Sequence, residues 1–379
     1  MKTKLLILST GFALFSMFFG SGNLVFPLAV GRESDGHFFW AALGICITGV
    51  LVPFLGAWAM MLFQGDTRRF FGVMGKTATF WLTFVALSLM GPFGVLARCI
   101  TVAHGNFKLL FPDVSLTIFS IASCLIIYLV TVNKSKIVTI LGSFLTPFLL
   151  LSLVVITGFG VWFGGIPEPA QNHSWESFRN GFLQGYQTMD LIAAFFFSSF
   201  VLNHLANHET DFGGKSKRKI FLQSALLGGT LLSAIYVGLV FLGAIYAFEL
   251  QNVPAQEMLG IVSQMAIGRL SAPIVCIAVV LACFTTAVVL ATLFADFLKT
   301  EVARNRISDH VSMGITLIIA FLISTLDFAG IARFLAPILE AIYPALIVLT
   351  ILNICTEVWG IKSQRWPVVV TLVAKVCYF

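Results

Sequence analysis

Charged residues are scarce in this chain: Asp, Glu, Lys and Arg make up 11% of its 379 residues, against roughly 25% in soluble domains. Hydrophobic residues make up 58%, and the mean hydropathy is +0.97. A soluble core cannot absorb so much apolar surface. The sequence therefore predicts an integral membrane protein.

The chain also lacks the usual motifs of enzymes and metal centres. Its seven cysteines show no CxxC or other paired spacing, which argues against a disulfide framework or a metal cluster. His204, His208 and Glu209 superficially resemble an HExxH zinc helix, but the glutamate follows the second histidine. No Walker lysine motif occurs either. We therefore expect no enzyme activity, no catalytic residues, no cofactor and no resident metal.

The net charge of +6 does not indicate a nucleic-acid partner, because the basic residues form short clusters between apolar stretches. Sixteen of the 23 Lys and Arg residues fall in loops on the side of the N-terminus, and four in the opposite loops. Cytoplasmic loops of membrane proteins are enriched in Lys and Arg. This distribution predicts a cytoplasmic N-terminus.

Ten apolar segments dominate the sequence, and most are long enough to cross a hydrocarbon layer of about 30 Å as a helix. They run approximately over residues 5–30, 38–63, 77–103, 115–132, 137–163, 179–204, 220–248, 270–298, 311–326 and 331–354. An eleventh stretch, residues 366–379, is short for a span, and its topology stays open. No linker divides the chain. We expect one all-α polytopic domain over residues 1–379, with about 10 to 11 transmembrane helices.

The connection between segments 7 and 8, residues 251–268, is partly apolar. This pattern predicts a short helix that lies over the outer face of the protein. Such a helix could act as a lid or could simply pack against the spans, and the sequence leaves both readings open.

Segment 1 is interrupted near its middle by the run Gly20-Ser21-Gly22-Asn23, ahead of Pro27. Glycine in a helix interior is unfavourable by about 1 kcal/mol relative to alanine. At membrane depth, unwound backbone is tolerated only where it lines a cavity or is buried in protein. A break in segment 1 is therefore a candidate ligand site.

Segment 6 places Gly181, Gly185 and the polar run Gln187-Thr188-Met189-Asp190 inside an apolar stretch. Segments 1 and 6 of ten correspond in a five-plus-five inverted repeat, in which substrate binds between two discontinuous helices. The alternative is that the glycines only permit close helix packing. A carboxylate near the bilayer centre is unfavourable by about 2.5 to 3.5 kcal/mol on insertion scales, so Asp190 should have a partner or face water.

Segment 8 contains two adjacent hydroxyl residues, Thr285 and Thr286, one turn after Ala282. Their hydroxyls and the Ala282 carbonyl offer oxygen ligands, which suit sodium or another hard cation. The alternative is that the threonines donate to carbonyls of their own helix, as they often do.

Three motifs resemble those of the bacterial branched-chain amino acid:cation symporter family: residues 11–27, residues 185–190 and residues 282–286. The resemblance implies a sodium-coupled symporter that imports leucine, isoleucine and valine across the inner membrane of a bacterium. It also implies the five-plus-five fold of the leucine transporters, with repeats over about residues 5–163 and 179–354 and a C-terminal stub at 366–379. The family usually has about twelve spans, whereas this sequence predicts about 10 to 11. Because of this departure from the family pattern, the oligomeric state stays open.

The resemblance also implies roles for individual residues. Amides around Ser21, Gly22 and Asn23 would hold the substrate carboxylate, and Tyr186, Gln187 and Thr188 would contact the substrate from segment 6. One sodium ion, as the co-transported ion, would be held by the residues of a second set: the carbonyls of Ser16, Phe19 and Ala282 and the hydroxyls of Thr285 and Thr286.

Among the ionisable residues of the apolar segments, three are candidates for a specific role: Arg98, Asp190 and Glu340. Asp190 or Glu340 could serve in coupling or gating, and a proton-coupled amino acid symporter or exchanger is therefore the alternative function; a non-transporting membrane sensor is another. A structural role for Glu340 is equally open. We expect Arg98, near the outer end of segment 3, to extend to the membrane interface and to be structural.

Overall fold

The computed structural model describes residues 2–132, 137–165, 167, 174–206, 216–268, 271–360 and 365–377. His208 and Glu209 lie outside the described residues. Within these ranges the chain forms seventeen α-helices and no strand. They are α1 (Lys2–Phe18), α2 (Ser21–Arg32), α3 (Phe38–Cys46), α4 (Val52–Leu62), α5 (Thr67–Gly72), α6 (Lys76–Met90), α7 (Val95–Lys108), α8 (Leu116–Val132), α9 (Ile137–Phe163), α10 (Ser174–Gln187), α11 (Asp190–Ala206), α12 (Lys217–Ile245), α13 (Met258–Ile267), α14 (Ser271–Phe297), α15 (Asp309–Ser324), α16 (Asp327–Trp359) and α17 (Trp366–Cys377).

The apolar segments predicted from the sequence coincide with these helices. Among the described residues, five helical stretches are long and apolar enough to cross a membrane, and seven if each of two sharply bent pairs counts as one span. Four shorter apolar helices accompany them. The predicted short helix between segments 7 and 8 is present as α13.

The first bent pair is α1 and α2, whose axes differ by 72° across Phe19 and Gly20. In an unbroken helix the Gly20 amide would donate to the Ser16 carbonyl four residues back. It donates instead to the Phe18 carbonyl (3.1 Å) and to Oδ1 of Asn23 (3.0 Å). The Asn23 side chain thus caps the start of α2, and segment 1 is a discontinuous helix as predicted.

The second bent pair is α10 and α11, which meet at 41° across Thr188 and Met189. Met189 has a φ of +60°, a left-handed conformation that is uncommon for a residue with a side chain. The predicted break in segment 6 is therefore present. The glycines of this segment lie before the break, where a Cβ on Gly181 or Gly185 would collide with α3 or with the Thr48 side chain just after it. For these two glycines the packing reading is the correct one.

A third interruption, within segment 3, is absent from our sequence-based predictions. The run Gly91-Pro92-Phe93-Gly94 separates α6 from α7. Proline has no N–H to continue the helical hydrogen bonds, and a Gly-Pro pair is a typical turn signal. The turn lies beside the second break, because a Cβ on Gly94 would lie 3.2 Å from Cε of Met189.

Twelve of the seventeen helices fall into two groups. The first group, here called the bundle, contains α1–α4 and α10–α12, which contact one another extensively. The second group, the scaffold, contains α6–α8, α14 and α15. Both broken helices therefore belong to the bundle, and the threonine pair of segment 8 belongs to the scaffold on α14.

Candidate functional site

The two helix breaks lie against each other in the interior of the bundle. A Cβ on Gly22, in the first turn of α2, would lie only 3.3 Å from the Cα of Thr188 in the other break. All residues of α2 from Ser21 to Gly31 are buried. The close approach brings the first amides of α2 to the other break, and a helix N-terminus favours negatively charged groups.

A buried polar triad joins the breaks. Nδ2 of Asn23 donates to Oδ2 of Asp190 at 2.7 Å and to the Tyr236 hydroxyl at 2.6 Å. The Tyr236 hydroxyl in turn lies 3.1 Å from the same Asp190 oxygen, to which it donates. The three side chains are 0 to 3% exposed. Asp190 thus has the partners that its burial requires, and these contacts connect α2, α11 and α12 within the bundle.

A cavity of about 1120 Å³ begins at the breaks and extends between bundle and scaffold. Its walls follow α1 and α11, the halves that precede the first break and follow the second, and they include only Gly22 and Asn23 of α2 and nothing of α10. The scaffold supplies Met90, Val95 and residues of α14. The cavity therefore lies on the side of the membrane where α1 starts. On the opposite side, here called the closed side, α2 is buried from Ser21 to Gly31.

Of the six predicted substrate residues, three line this cavity: Gly22, Asn23 and Thr188. Ser21 lies just behind them, with its Oγ accepting a 3.5 Å hydrogen bond from Cys99 of α7. The Asn23 side chain is fully engaged by Gly20, Asp190 and Tyr236. Asn23 therefore positions the breaks, while the neighbouring backbone remains the part of α2 that faces the cavity.

The other two predicted substrate residues lie on the closed side. Tyr186 is 5% exposed and its ring packs 4.7 Å from that of Tyr343 on α16. Gln187 accepts from both terminal nitrogens of Arg98: its carbonyl oxygen lies 2.6 Å from Nη1 and its Oε1 lies 2.5 Å from Nη2. Neither residue reaches the cavity.

The position of Arg98 differs from our sequence-based prediction that it extends to the membrane interface. The side chain is 1% exposed and does not extend to the membrane interface. Its guanidinium instead turns inward and lies over the rings of Phe26 (5.1 Å) and Phe328 (5.6 Å). The prediction was wrong because the carbonyl end of α10 offers oxygen acceptors inside the protein, where two charge-assisted hydrogen bonds replace hydration.

Four of the five predicted cation residues line one wall of the cavity: Ser16, Phe19, Thr285 and Thr286. The fifth, Ala282, accepts a 2.9 Å hydrogen bond from the Thr285 hydroxyl, which is the intrahelical bond that the alternative reading describes. Thr286 lies opposite the first break, since a Cβ on Gly20 would be 3.9 Å from its Cγ2. The structure thus brings the end of α1 and the threonine pair to the same place.

Glu340 is half-buried on α16 and is not among the residues that line the cavity. Tyr236, by contrast, belongs to the site and is missing from our sequence-based predictions. A tyrosine in an apolar segment signals a buried hydroxyl that needs a partner. That signal does not name the partner, which lies 46 positions away in the chain.

Comparison with known proteins identifies the family of the chain. The family model of the branched-chain amino acid transport proteins matches residues 3–378. The branched-chain amino acid transport system 3 carrier protein of Pseudomonas aeruginosa is 30% identical over 93% of this chain and 81% of its own length. The branched-chain amino acid permease BraB of Bacillus subtilis is 29% identical over 94% of this chain and 80% of its own.

Two solved structures share the fold. The inward facing conformation of Mhp1 superposes with a TM-score of 0.63 at 16% identity, covering 92% of this chain and 76% of that one. MhsT in complex with L-phenylalanine also gives 0.63, at 14% identity and 97% coverage of both chains. Both are transporters of the leucine-transporter fold. Family and fold agree, and the chain therefore belongs to the branched-chain amino acid transport protein family.

Proposed function

We propose that the protein is a sodium-coupled symporter that imports leucine, isoleucine and valine by alternating access. The observation that carries this proposal is that three elements line one cavity. They are the break between α1 and α2, the break between α10 and α11, and the hydroxyl pair of α14. Discontinuous helices that meet at the midplane hold substrate and coupling ion in carriers of this kind.

The substrate would bind as a zwitterion at the breaks. The first amides of α2, at Ser21 and Gly22, lie at the positive end of the helix dipole and suit a carboxylate. Met90, Val95 and Leu290 form an apolar wall across the cavity. Such a wall suits an aliphatic side chain, in keeping with the substrates named for the family's members.

The sodium ion would bind between α1 and α14. Ser16 and Phe19 of the last turns of α1 line the same cavity as Thr285 and Thr286, and a set of their carbonyl and hydroxyl oxygens would suit a hard cation. An ion in this place would touch the bundle through α1 and the scaffold through α14. It would therefore favour the arrangement in which the first break is well ordered, and this couples sodium binding to substrate binding.

The cavity lies on the side where α1 starts, and the Lys and Arg distribution predicts that this side is cytoplasmic. In this state substrate would leave to the inside, and the outer side would open in the other half of the cycle. One positive charge that moves down 100 mV releases about 2.3 kcal/mol. That amount concentrates a neutral solute roughly 50-fold, before any sodium gradient is added.

The test is uptake of labelled leucine into proteoliposomes that contain the full chain. An inward sodium gradient is compared with equal potassium and choline gradients at constant pH. We expect accumulation only with sodium, and competition by isoleucine and valine. Accumulation that is indifferent to sodium would contradict the cation site and leave the carrier.

Proton coupling is the second candidate, because Asp190 is a titratable group buried where the breaks meet. Uptake driven by an inward proton gradient without sodium would favour it over the sodium symporter. Counterflow with unlabelled leucine inside the liposomes separates both carriers from a sensor, since only a carrier exchanges substrate.

A further inference from the structure

Arg98 occupies an unusual position for a charged residue. It lies on α7 in the interior of the fold and is 1% exposed. It forms no ion pair with any described residue. Within the described part of the chain, its Nε has no hydrogen-bond partner. A buried charge is tolerated only when strong interactions compensate for the loss of hydration. The compensation here comes chiefly from Gln187.

The contact between Arg98 and Gln187 joins the two helix groups. Arg98 belongs to the scaffold, whereas Gln187 is the last residue of α10 in the bundle. The two aromatic rings beside the guanidinium come from Phe26 of α2 and Phe328 of α16, and they also pack against each other at 5.5 Å between centroids. The contact lies on the closed side of the breaks, opposite the cavity. The polar triad, by contrast, lies wholly within the bundle and need not change when bundle and scaffold move apart.

The two hydrogen bonds from Arg98 are accepted by the last residue of a helix. Backbone carbonyls in the last turn of a helix lack intrahelical partners and carry partial negative charge. The Gln187 carbonyl at the end of α10 is therefore a suitable acceptor for a cation, and the side-chain amide oxygen of the same residue adds a second. Bonds to a charged donor in a dry site are strong but break completely when the groups separate.

We propose that Arg98 is a positioning residue of the transport cycle: its guanidinium fastens α7 to the end of α10 and holds the outer side closed while the cavity is open to the cytoplasm. This inference rests on the proposed carrier function. Opening to the outside would then require Arg98 to leave Gln187. The strength of this contact would set the fraction of time that the carrier faces outward.

A native thiol can report on this movement. Cys99 neighbours Arg98 on α7, is 1% exposed, and its Sγ lies 3.5 Å from Oγ of Ser21 on α2. It thus sits between scaffold and bundle, and a reagent from outside can reach it only when that interface parts. The experiment treats intact cells that express the full chain with a membrane-impermeant maleimide, and mass spectrometry measures labelling of the Cys99 peptide.

Three variants and one control are compared with the unaltered protein. Arg98→Gln and Gln187→Ala each remove at least one charge-assisted hydrogen bond of the closed side, and we expect about tenfold faster labelling of Cys99. Gln187→Glu places a negative charge beside the guanidinium, so labelling should slow. Arg179→Gln removes an exposed charge of α10 about two turns before Gln187 and should leave the rate unchanged.

Unchanged labelling in both weakened variants, or faster labelling in Gln187→Glu, would overturn the inference. If Arg98→Gln fails to fold, the two Gln187 variants retain the arginine and decide the question. The labelling needs neither substrate nor sodium. A carrier that fails to accumulate leucine would contradict the proposed function, whereas a gate that fails to respond would contradict only this inference.

Discussion

Nδ2 of Asn23 lies 2.7 Å from Oδ2 of Asp190, and this single hydrogen bond joins the start of α2 to the start of α11. Each residue follows the break in its own helix, so the bond fixes the two breaks against each other. In the sequence both residues follow glycines and lie near the middle of an apolar segment, which marks them as candidate site residues. The contribution of this hydrogen bond to the stability of the protein can be measured by replacing Asp190.

Replacement of Asp190 by Ala should destabilise the protein by about 1 to 3 kcal/mol, because the Asn23 amide and the Tyr236 hydroxyl lose their acceptor in a dry site. Asp190→Asn keeps an acceptor oxygen and should unfold close to the temperature of the unaltered protein. Thermal unfolding of the purified protein in detergent measures both. Equal losses in the two variants would mean that charge, rather than hydrogen bonding, stabilises the site.

Thr286→Ala should raise the sodium concentration needed for half-maximal leucine uptake by about tenfold or more, because it removes one oxygen ligand of the proposed ion site. The matched control is Thr292→Ala on the same helix. That hydroxyl donates to the Val288 carbonyl and lies outside the cavity lining. An identical sodium dependence of the two variants would remove Thr286 from the site.

Gly22→Ala should strongly reduce uptake while the protein still folds. The added methyl group would meet the Thr188 backbone at 3.3 Å and push the two breaks apart by a few tenths of an ångström. Transport depends on the geometry of the breaks and should fall at least about tenfold. Gly314→Ala on α15 is the control, because an added Cβ there meets nothing within 4 Å. Normal uptake by Gly22→Ala would show that transport tolerates a small increase in the distance between the two breaks.

Adjacent residues of α11 test the position of the cavity. Ala193 lines it, whereas Ala194 packs against α4 and is 0% exposed. A cysteine at position 193 should react with a thiol reagent applied from the cytoplasmic side of inside-out vesicles, and one at position 194 should not. Leucine with sodium should slow the reaction at 193. Labelling at position 194 but not at position 193 would show that the opposite face of α11 lines the cavity.

The sequence predicts much of this fold because the relevant signals are local. Apolar length locates the spans, and the fifth segment has the same bounds in sequence and structure, Ile137–Phe163. Glycine and polar residues at mid-membrane locate both interruptions, since only a site that lines a cavity or is buried tolerates them. The run from Gly91 to Gly94 carried a similar local signal that our predictions did not use.

The partners of the buried polar groups are another matter, because they depend on which helices meet. Tyr236 joins Asp190 and Asn23 from a helix whose own sequence gives no hint of them. Arg98 has the length to reach either the interface or the protein interior, and only the position of Gln187 decides between the two. Two of the predicted substrate residues, Tyr186 and Gln187, likewise lie behind the cavity wall in this state, a relation that no spacing encodes.

The size of the cavity has a consequence for inhibition. Pockets that enclose a small ligand usually measure about 300 to 1,000 Å³, and at about 1120 Å³ this one is larger than that range. A single amino acid would leave much of it to water. A bulky apolar molecule, however, could contact both α1 and α14 at once and prevent the bundle from closing onto the scaffold. With the proposed orientation, inhibitors of this shape should act from the cytoplasmic side and be ineffective from outside, the side from which the proposed import would start.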